Sequence, residues 1–358
     1  MKSMCSPRAP WVGLLVLGAL LALARGAAAA GLEITPDKAT AGAGEEITFT
    51  FYPPVTTSQD SVEFNFGDLR TGTVSYSSGC LIFGGCTQIR HTYAGKGTYT
   101  VSAQGTISGL HVSGSTKIVI EEDPLEGYLF IATAAHLPGF QGTNWRTDLV
   151  VQNPGGESAR FDIALLLRNQ ANPDPEKVTI TLEPRECARY DDVVKGLFGY
   201  DGAAALQLRT LEGTIIANSR TYNLTASGTY GQYVPALKRI EAVAFLQYGR
   251  LIQLAHEPSL SSGYRTNLGL LNTSPADITV DVFFYSRLGA LLGAKTYVLK
   301  TFEFRQIDKV FEQVTTEPLD NGYIDVRTTT GGAKFFAYAS VIDNRTGDPT
   351  YVPAIVLD

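Results

Sequence analysis

The chain has 358 residues, with 29 basic and 35 acidic side chains that leave a formal net charge of −6 at pH 7. This length exceeds one ordinary hydrophobic core and suits two or three domains. An acidic balance without a basic cluster argues against a nucleic-acid partner, which requires a positively charged stripe. Only 18 % of the residues are charged, and 36 Gly, 17 Tyr and 17 Phe favour an all-β protein.

Residues 1–30 have the pattern of a secretory signal peptide. Lys2 and Arg8 give a positively charged start, residues 11–24 are apolar, and alanines at 28–30 precede Gly31. This apolar run is short for a membrane span, so we expect cleavage before Gly31. The sequence contains no second run of spanning length. We therefore expect no membrane span after signal removal, and a secreted, periplasmic or cell-surface location.

The cysteines are interpreted in the light of export, because an oxidising compartment permits disulfide bonds. Cys80 and Cys86 flank a short loop that contains two glycines, which predicts a bridge worth roughly 2 kcal/mol in the chain-entropy model. Cys187 is then left without a partner. We expect it to be a small buried apolar side chain rather than a reactive thiol.

Residues 31–122 contain short alternating strands separated by glycines, which predicts a β-sandwich. Three motifs in this region, Phe64–Asp68, His91–Tyr93 and Gly97–Val101, resemble the PKD domain. That family usually carries Trp-Asp-Phe-Gly-Asp-Gly at the first motif, so this chain departs from it at Phe64, Asn65 and Leu69. The resemblance implies an immunoglobulin-like sandwich that serves as a spacer, an adhesive or a substrate-contacting module, usually without catalysis.

After a short acidic linker at residues 123–127, the chain repeats itself. The segment Trp145–Asn153 returns as Tyr264–Asn272, with Arg146 and Arg265 displaced by 119 residues. Both copies alternate with period two and end in an asparagine suited to starting a turn. We therefore predict two homologous units, residues 128–238 and 239–358. Residues 127–358 resemble tandem β-rich units of exported bacterial proteins, without a named family.

One stretch in each unit changes from strand to helical spacing. Its apolar positions stand at i, i+3, i+4 and i+7, and they are Tyr190, Val193, Val194 and Leu197 in the first unit and Ile307, Val310, Phe311 and Val314 in the second. An acidic residue near the start of each stretch (Asp191 and Asp192; Asp308) is favourable at a helix N-terminus. The predicted fold class is therefore all-β: an immunoglobulin-like sandwich followed by two homologous β-sandwich units, each with one short helix.

Motifs for known chemistry are absent from the sequence. It contains no Gly-x-Ser-x-Gly elbow, no His-Glu-x-x-His and no phosphate-binding loop, and its four histidines form no metal-binding spacing. We therefore predict no catalytic residue, no metal site and no cofactor.

The weak candidates for binding residues are His136, Arg146, His256 and Arg265, because each pair recurs in both units. One interpretation places them at a pocket mouth for an anionic or sugar ligand. The favoured interpretation has each histidine capping a loop and each arginine pairing across the sheet, for example Arg146 with Asp148.

Two further alternatives concern aromatic and acidic side chains. Trp145 and Tyr264 are either sugar-stacking platforms or core anchors, and their alternation with Leu149 and Leu268 favours the core. Paired carboxylates such as Glu183 and Glu186 would be required for hydrolysis.

The leading hypothesis is an exported, non-catalytic modular protein that binds or adheres to a surface, a polysaccharide or an envelope protein, or acts as an envelope spacer. The alternative is a secreted hydrolase, or its accessory subunit, acting on polysaccharide or protein. Self-association as a structural protein is a third possibility. The ligand and the oligomeric state are not determined by the sequence.

Overall fold

The computed structural model describes residues 30–77, 85–93, 95–139, 142–259 and 261–357. Regular structure in these residues is almost entirely β-strand, which confirms the all-β prediction. The predicted signal peptide lies outside the described residues except for Ala30, and Cys80 also lies outside them. No helix of the described part is long and apolar enough to cross a membrane.

The N-terminal region is a sandwich of two sheets. Its described strands are β1 (Ala30–Gly31), β2 (Glu33–Pro36), β3 (Thr40–Gly42), β4 (Glu46–Val55), β5 (Ser61–Asn65), β6 (Thr71–Ser75), β7 (Cys86–Thr92), β8 (Gly97–Ile107) and β9 (Leu110–Glu121). One sheet has the order β1-β9-β8-β5-β6, with β3 on β9, and the other is β2-β4-β7. Alternate residues such as Ile47, Phe49 and Phe51 point into the core between them.

The motifs that carry the PKD resemblance meet in space. The ring of Phe66 stacks on His91 with centroids 3.9 Å apart, and His91 Nε2 lies 2.8 Å from Asp68 Oδ2. The hydroxyl of Tyr93 donates to the carbonyl oxygen of Phe66 at 3.0 Å. Residues from the first two motifs therefore form one cluster of contacts, which connects the turn after β5 to the end of β7.

The two following units are built from strands of similar length. The first has β10 (Leu129–Pro138), β11 (Asn144–Gln152), β12 (Ala159–Leu167), β13 (Lys177–Leu182), β14 (Cys187–Tyr190), α1 (Val193–Phe198), β15 (Gly202–Glu212), β16 (Ile216–Thr225) and β17 (Gly228–Lys238). The second has a 3₁₀ helix (Arg239–Glu241), β18 (Val243–Ala244), β19 (Tyr248–His256), β20 (Tyr264–Asn272), β21 (Ile278–Tyr285), β22 (Leu291–Leu299), β23 (Phe304–Ile307), a second 3₁₀ helix (Val310–Gln313), β24 (Leu319–Thr328), β25 (Lys334–Asp343), β26 (Pro349–Pro353) and β27 (Ile355–Leu357).

Strand order and register agree between the units. The first unit forms one sheet, β13-β12-β15-β10-β17-β16-β11-β14. The second forms two sheets, β22-β21-β24-β19-β27 and β18-β25-β20-β23, with β26 also paired to β25, and the strands equivalent to those of the first unit follow the same order. Leu149 lies opposite Tyr190 in the first unit, and Leu268 lies opposite Ile307 in the second. The predicted duplication of one β-sandwich is therefore confirmed by pairing as well as by sequence.

The segment with helical spacing is shorter than its periodicity suggests. Tyr190 belongs to β14, and α1 begins only after Asp192, which has a left-handed backbone with φ 47°. The Asp192 carboxylate makes no capping hydrogen bond. In the second unit the equivalent segment is the four-residue 3₁₀ helix Val310–Gln313. Burial of Val193 and Val194, and of their equivalents in the second unit, accounts for the apolar pattern in both cases.

An apolar junction joins the two units. The outer face of β10 and β12 contributes Phe130 and Leu166, and the outer face of the second unit's β20, β23 and β25 packs against it. The second unit's buried junction side chains are Leu271, Phe304, Phe336 and Tyr338. Phe130 and Phe336 approach with ring centroids 6.0 Å apart. The junction therefore buries one face of each unit and fixes the units against each other.

Cys187 is exposed, so the expectation of a buried apolar side chain is wrong. Cys187 begins β14 and lies opposite Gln152 of β11 in the strand pairing. The equivalent positions in the second unit are Phe304 and Leu271. Phe304 is fully buried because the first unit covers it. Exposure of Cys187 follows from the lack of an equivalent cover on the first unit's face.

The linker after the N-terminal sandwich is anchored by a buried ion pair. Asp123 pairs with Arg239, and Lys334 Nζ lies 3.6 Å from the same carboxylate. Arg239 also donates through Nε to the carbonyl oxygen of Thr273 at 2.9 Å. Because Arg239 follows the last strand of the first unit, this guanidinium ties the linker, the inter-unit connection and the second unit together.

Candidate functional site

A cleft of about 400 Å³ lies where the two units meet, beside the apolar junction. The first unit lines it from β10, β11, β16 and β17, and the second unit from β20, β23 and β25. Its polar and charged lining residues are Thr133, Arg168, Thr221, Gln232, Arg265, Asn267, Gln306, Asp308, Lys309 and Ser340. Trp145 provides a large aromatic surface in the same wall. The described lining is therefore mixed in character, with the aromatic ring of Trp145 beside many hydrogen-bonding groups.

Hydrogen bonds across the junction hold the cleft walls in place. Ser340 Oγ donates to Gln232 Oε1 at 3.0 Å, and Arg168 Nη2 donates to the carbonyl oxygen of Gln306 at 2.8 Å. Asn169 N donates to the carbonyl oxygen of Phe304 at 2.8 Å. These bonds connect residues from different units, so the walls are preorganised by the junction.

Among the described lining residues are three cationic side chains and one carboxylate. Arg168 Nη2 lies 3.4 Å from Asp308 Oδ2, and Lys309 Nζ lies 3.0 Å from Glu312 Oε1. Arg265 is only 5 % exposed and donates through Nη1 to Asn344 Oδ1 at 2.8 Å.

Burial lowers the pKa of the Arg265 guanidinium, while the charges of Asp308 and Asp343 raise it. The net lowering means that these two carboxylates only partly offset the cost of burying the guanidinium.

Trp145 forms the aromatic part of the wall and is half-buried. Its indole packs directly over Gly139, where there is no room for a side chain. The interpretation of Trp145 as a core anchor is therefore wrong, although Thr147 and Leu149 on the same face are fully buried. Tyr264 is 49 % exposed, so the same interpretation is wrong for it. Both aromatics stand at or near the start of their strands.

Of the four weak candidates for binding residues, Arg265 lines this cleft, and Trp145, the possible sugar-stacking platform, lies in the same wall. His136 and Arg146 lie together in a separate cluster, where His136 Nδ1 is 2.6 Å and Arg146 Nε 3.3 Å from Asp192 Oδ2. Arg146 therefore pairs with Asp192 rather than with Asp148.

The carboxylate of Asp148 pairs instead with Arg189, at 2.6 Å from its Nη2. His256 is 3 % exposed in the core of the second unit, and its Nε2 has no hydrogen-bond partner among the described residues. Burial lowers the pKa of this imidazole.

Arg168, Gln232, Gln306 and Lys309 were not found by sequence reasoning. No sequence pattern marks these four side chains as a group, and they converge because the junction brings distant segments together. Asp308 was noted only as a helix-start residue. The junction itself has no signal in the periodicity of either unit.

Within the described residues, no group of three or more His, Cys, Asp and Glu could hold a metal ion. The Cys80–Cys86 bridge stays a prediction because Cys80 is outside the described part, and Cys86 is buried. Glu183 and Glu186 are exposed, and the backbone N–H of Glu183 donates to Glu186 Oε2 at 2.7 Å, as in a turn.

No protein-family model matches the sequence, and no characterised protein matches it. Solved structures with a similar course of the chain include a carbohydrate-binding module of the β-sandwich superfamily, at 14 % identity, covering 90 % of this chain and 98 % of the other, with a TM-score of 0.22. A tetra-tandem repeat from the extending region of a large adhesion protein shows 10 % identity over 92 % of this chain and 74 % of the other, with a TM-score of 0.20.

A mutant of Salmonella alpha-2-macroglobulin shows 12 % identity over 91 % of this chain and 23 % of the other, with a TM-score of 0.19. At these TM-scores the likenesses support no assignment of a ligand or partner to this chain.

Proposed function

We propose that this chain is an exported, non-catalytic binding protein whose inter-unit cleft holds a segment of polysaccharide. The observation that carries this proposal is the cleft wall, in which Trp145 stands among guanidinium, hydroxyl and carboxamide groups. Sugars present apolar ring faces that stack on aromatic side chains, and rims of hydroxyls that hydrogen-bond to such polar groups. Preorganised walls also limit the entropy that is lost on binding.

Binding is favoured over hydrolysis by the carboxylates of the cleft. Glycoside hydrolysis uses two carboxyl groups roughly 5 to 10 Å apart. Among the described residues that line the cleft, Asp308 is the carboxylate, and it is engaged by Arg168 and by Gln306 Nε2 at 2.7 Å. A carboxylate held in this way stabilises the wall rather than serving as a free acid or base.

The N-terminal sandwich is proposed to be a PKD-type module that spaces the cleft from its point of attachment. This proposal is supported by the contacts among Phe66, Asp68, His91 and Tyr93, because residues of the motifs that carry the resemblance form this cluster. A protein of residues 123–358, which keeps the Asp123–Arg239 pair, should then bind ligand as well as one of residues 31–358.

Trp145 provides a direct test of the cleft. The sequence contains two tryptophans, and the other, Trp11, lies in the predicted signal peptide. Tryptophan fluorescence of a protein of residues 31–358 therefore reports on the cleft alone. We expect oligosaccharides from an array of neutral and acidic glycans to change this fluorescence saturably.

Two variants separate a cleft ligand from a surface ligand. Trp145→Ala should weaken binding roughly 5- to 150-fold by calorimetry, because stacking of a nucleic-acid base on an aromatic side chain is worth about 1–3 kcal/mol and we expect a sugar ring to stack comparably. Gly139→Ala should displace the indole and weaken binding as well, whereas Gly127→Ala, which meets nothing within 4 Å, should not. Glycan binding that is unaffected by Trp145→Ala and Gly139→Ala would place the ligand elsewhere and refute the proposal.

A further inference from the structure

A second pocket, of about 340 Å³, lies in the first unit between the β12–β13 hairpin and the end of α1. This hairpin pocket has aliphatic, aromatic and acidic walls, formed by Leu165, Leu167, Phe198, Tyr200, Asp174 and Glu176. The described residues that line it are all different from those that line the inter-unit cleft, so the two are separate cavities.

The equivalent position in the second unit is closed. Leu182 of β13 and Leu299 of β22 correspond, because each is buried opposite the first residue of the neighbouring strand, β12 or β21. The same displacement of 117 residues places Gly293 where the first unit has Glu176. A Cβ on Gly293 would lie 2.8 Å from Val314 Cγ1, beside the second 3₁₀ helix. The second unit therefore has no room for a side chain at this position.

The first unit carries a glutamate at this position. The backbone N–H of Leu165 donates to the carbonyl oxygen of Glu176 at 2.9 Å, so the two residues are paired and their side chains lie on the same face of the sheet. Leu165 is buried in the core, and this face is therefore the inner one. Glu176 is nevertheless exposed. The layer that covers the inner face is thus open beside Glu176, and the hairpin pocket occupies the opening.

The loop that forms one wall of the pocket is held in place by Asn172, which is 5 % exposed. Its side-chain oxygen accepts from Leu167 N at 2.9 Å, and its amide donates to the carbonyl oxygens of Leu167, Gln170 and Phe302 at 3.1, 3.0 and 3.0 Å. Its backbone N–H donates to the carbonyl oxygen of Thr301 at 2.9 Å. The second unit therefore fixes this loop, and a preformed wall limits the entropy that is lost on binding.

Asp174 and Glu176 give the hairpin pocket a negative charge. Neither carboxylate has an ion-pair partner among the described residues, and the described lining contains no Lys, Arg or His. Two lysines are close in the sequence or on the adjoining helix. Lys177 follows Glu176 in the extended chain, so its side chain points to the opposite face of the sheet. Lys195 of α1 is engaged by Asp201 at 2.6 Å.

We propose that the hairpin pocket binds an arginine side chain of a partner protein. The guanidinium stacks on the aromatic rings and pairs with the two carboxylates, and its methylene groups lie along Leu165 and Leu167. Arginine is favoured over lysine because its planar end group combines stacking with forked hydrogen bonding to carboxylates. A protein side chain is favoured over an amino sugar, because the aliphatic wall suits a methylene stem that an amino sugar lacks. This interaction is independent of polysaccharide binding in the cleft.

The test compares N-acetylarginine methylamide with N-acetylcitrulline methylamide, by saturation-transfer NMR on a protein of residues 31–358. Citrulline keeps the length and the planar end group of arginine but carries no charge. We expect the arginine compound to bind roughly fivefold more tightly or better. Added salt should weaken binding of the arginine compound and leave the citrulline compound unaffected.

Two double variants change the net charge equally at different places. Asp174→Asn with Glu176→Gln removes both carboxylates of the pocket and should abolish the preference for arginine. Glu157→Gln with Asp320→Asn removes two carboxylates that are also exposed but lie outside the pocket, and should keep the preference. Phe198→Leu retains an apolar wall without the ring and should weaken binding of the arginine compound. Equal thermal midpoints would show that the variants are folded.

Three outcomes would overturn the proposal. The first is equal binding of the two compounds, or an unchanged preference in Asp174→Asn with Glu176→Gln. The second is an equal loss of preference in the control double variant, because the attraction would then come from the net charge of the chain. The third is binding of chitosan oligomers that depends on Glu176, without binding of the arginine compound, which would make the ligand an amino sugar. Glycan binding in the cleft is measured separately by Trp145 fluorescence and does not depend on these results.

Discussion

Asp123 and Glu122 are adjacent acidic residues that both form ion pairs, yet their substitution should have very different effects. Asp123 is 8 % exposed and pairs with Arg239, which is 4 % exposed. Glu122 pairs with Lys96 at 2.8 Å, but 61 % and 64 % of the two side chains are accessible to solvent. The two ion pairs therefore begin from neighbouring positions in the sequence and differ mainly in how deeply the charged groups are buried.

Removal of the Asp123 charge leaves a buried cation without its counterion. Burial lowers the pKa of Arg239 to about 10, so the guanidinium still carries its charge at neutral pH. Breaking a buried pair in this way costs about 3–5 kcal/mol. Hydrogen bonds from Arg239 to Thr273 and to Ser274 remain, and they favour the lower end of that range. An exposed pair such as Glu122 with Lys96 is worth about 0.2–1 kcal/mol.

Asp123→Asn and Glu122→Gln should be compared by differential scanning calorimetry on residues 31–358, because a chain with several units need not unfold in one step. We expect Asp123→Asn to lower the midpoint of the transition that includes the second unit, and Glu122→Gln to leave every midpoint nearly unchanged. Limited proteolysis should cut the linker faster in Asp123→Asn alone. Similar midpoints for the two variants would refute the view that Asp123 anchors the linker.

Two further predictions concern the second unit. Asn272 is fully buried, and its side chain makes three hydrogen bonds of 2.8 Å, so Asn272→Ala should cost about 3 kcal/mol in urea denaturation. Asn65→Ala, which removes one exposed bond to Gly67 N, should cost under about 1 kcal/mol. Burial lowers the pKa of His256 below its ordinary 6.5, so the unfolded chain binds the proton first and the free energy of unfolding falls as pH drops below 6.5. His256→Gln should reduce this loss, and His111→Gln, at an exposed position, should not. A pH profile shared by wild type and His256→Gln would contradict the prediction.

The repeated architecture was predictable because packing requirements recur in the sequence. Asn153 and Asn272 were identified as turn-starting residues, and each donates through its side-chain amide to carbonyl oxygens around the turn. Period-two alternation also identified the buried positions of β11 and β20 correctly at Leu149 and Leu268. These features depend on contacts within one unit, which local patterns record.

The cleft was not predictable in the same way, because it depends on how one unit lies against the other. Alternation assigns a residue to a face of a sheet, but it does not show where the covering layer ends. Trp145 was therefore assigned to the core, although it is only half-buried and lies in the cleft wall. Arg168 and Gln306 are 138 residues apart and meet only across the junction. Cys187 was assigned to the core although its side chain is exposed, because the described residues do not cover it as they cover its equivalent, Phe304.

The junction brings together two different surfaces, one from each unit, so it is a heterologous contact and not a symmetric one. Excision of the second unit would leave Phe130 and Leu166 in water, and excision of the first would expose Phe304 and Phe336. Either unit produced alone would therefore expose an apolar face, and it would require polar substitutions on that face to remain monomeric.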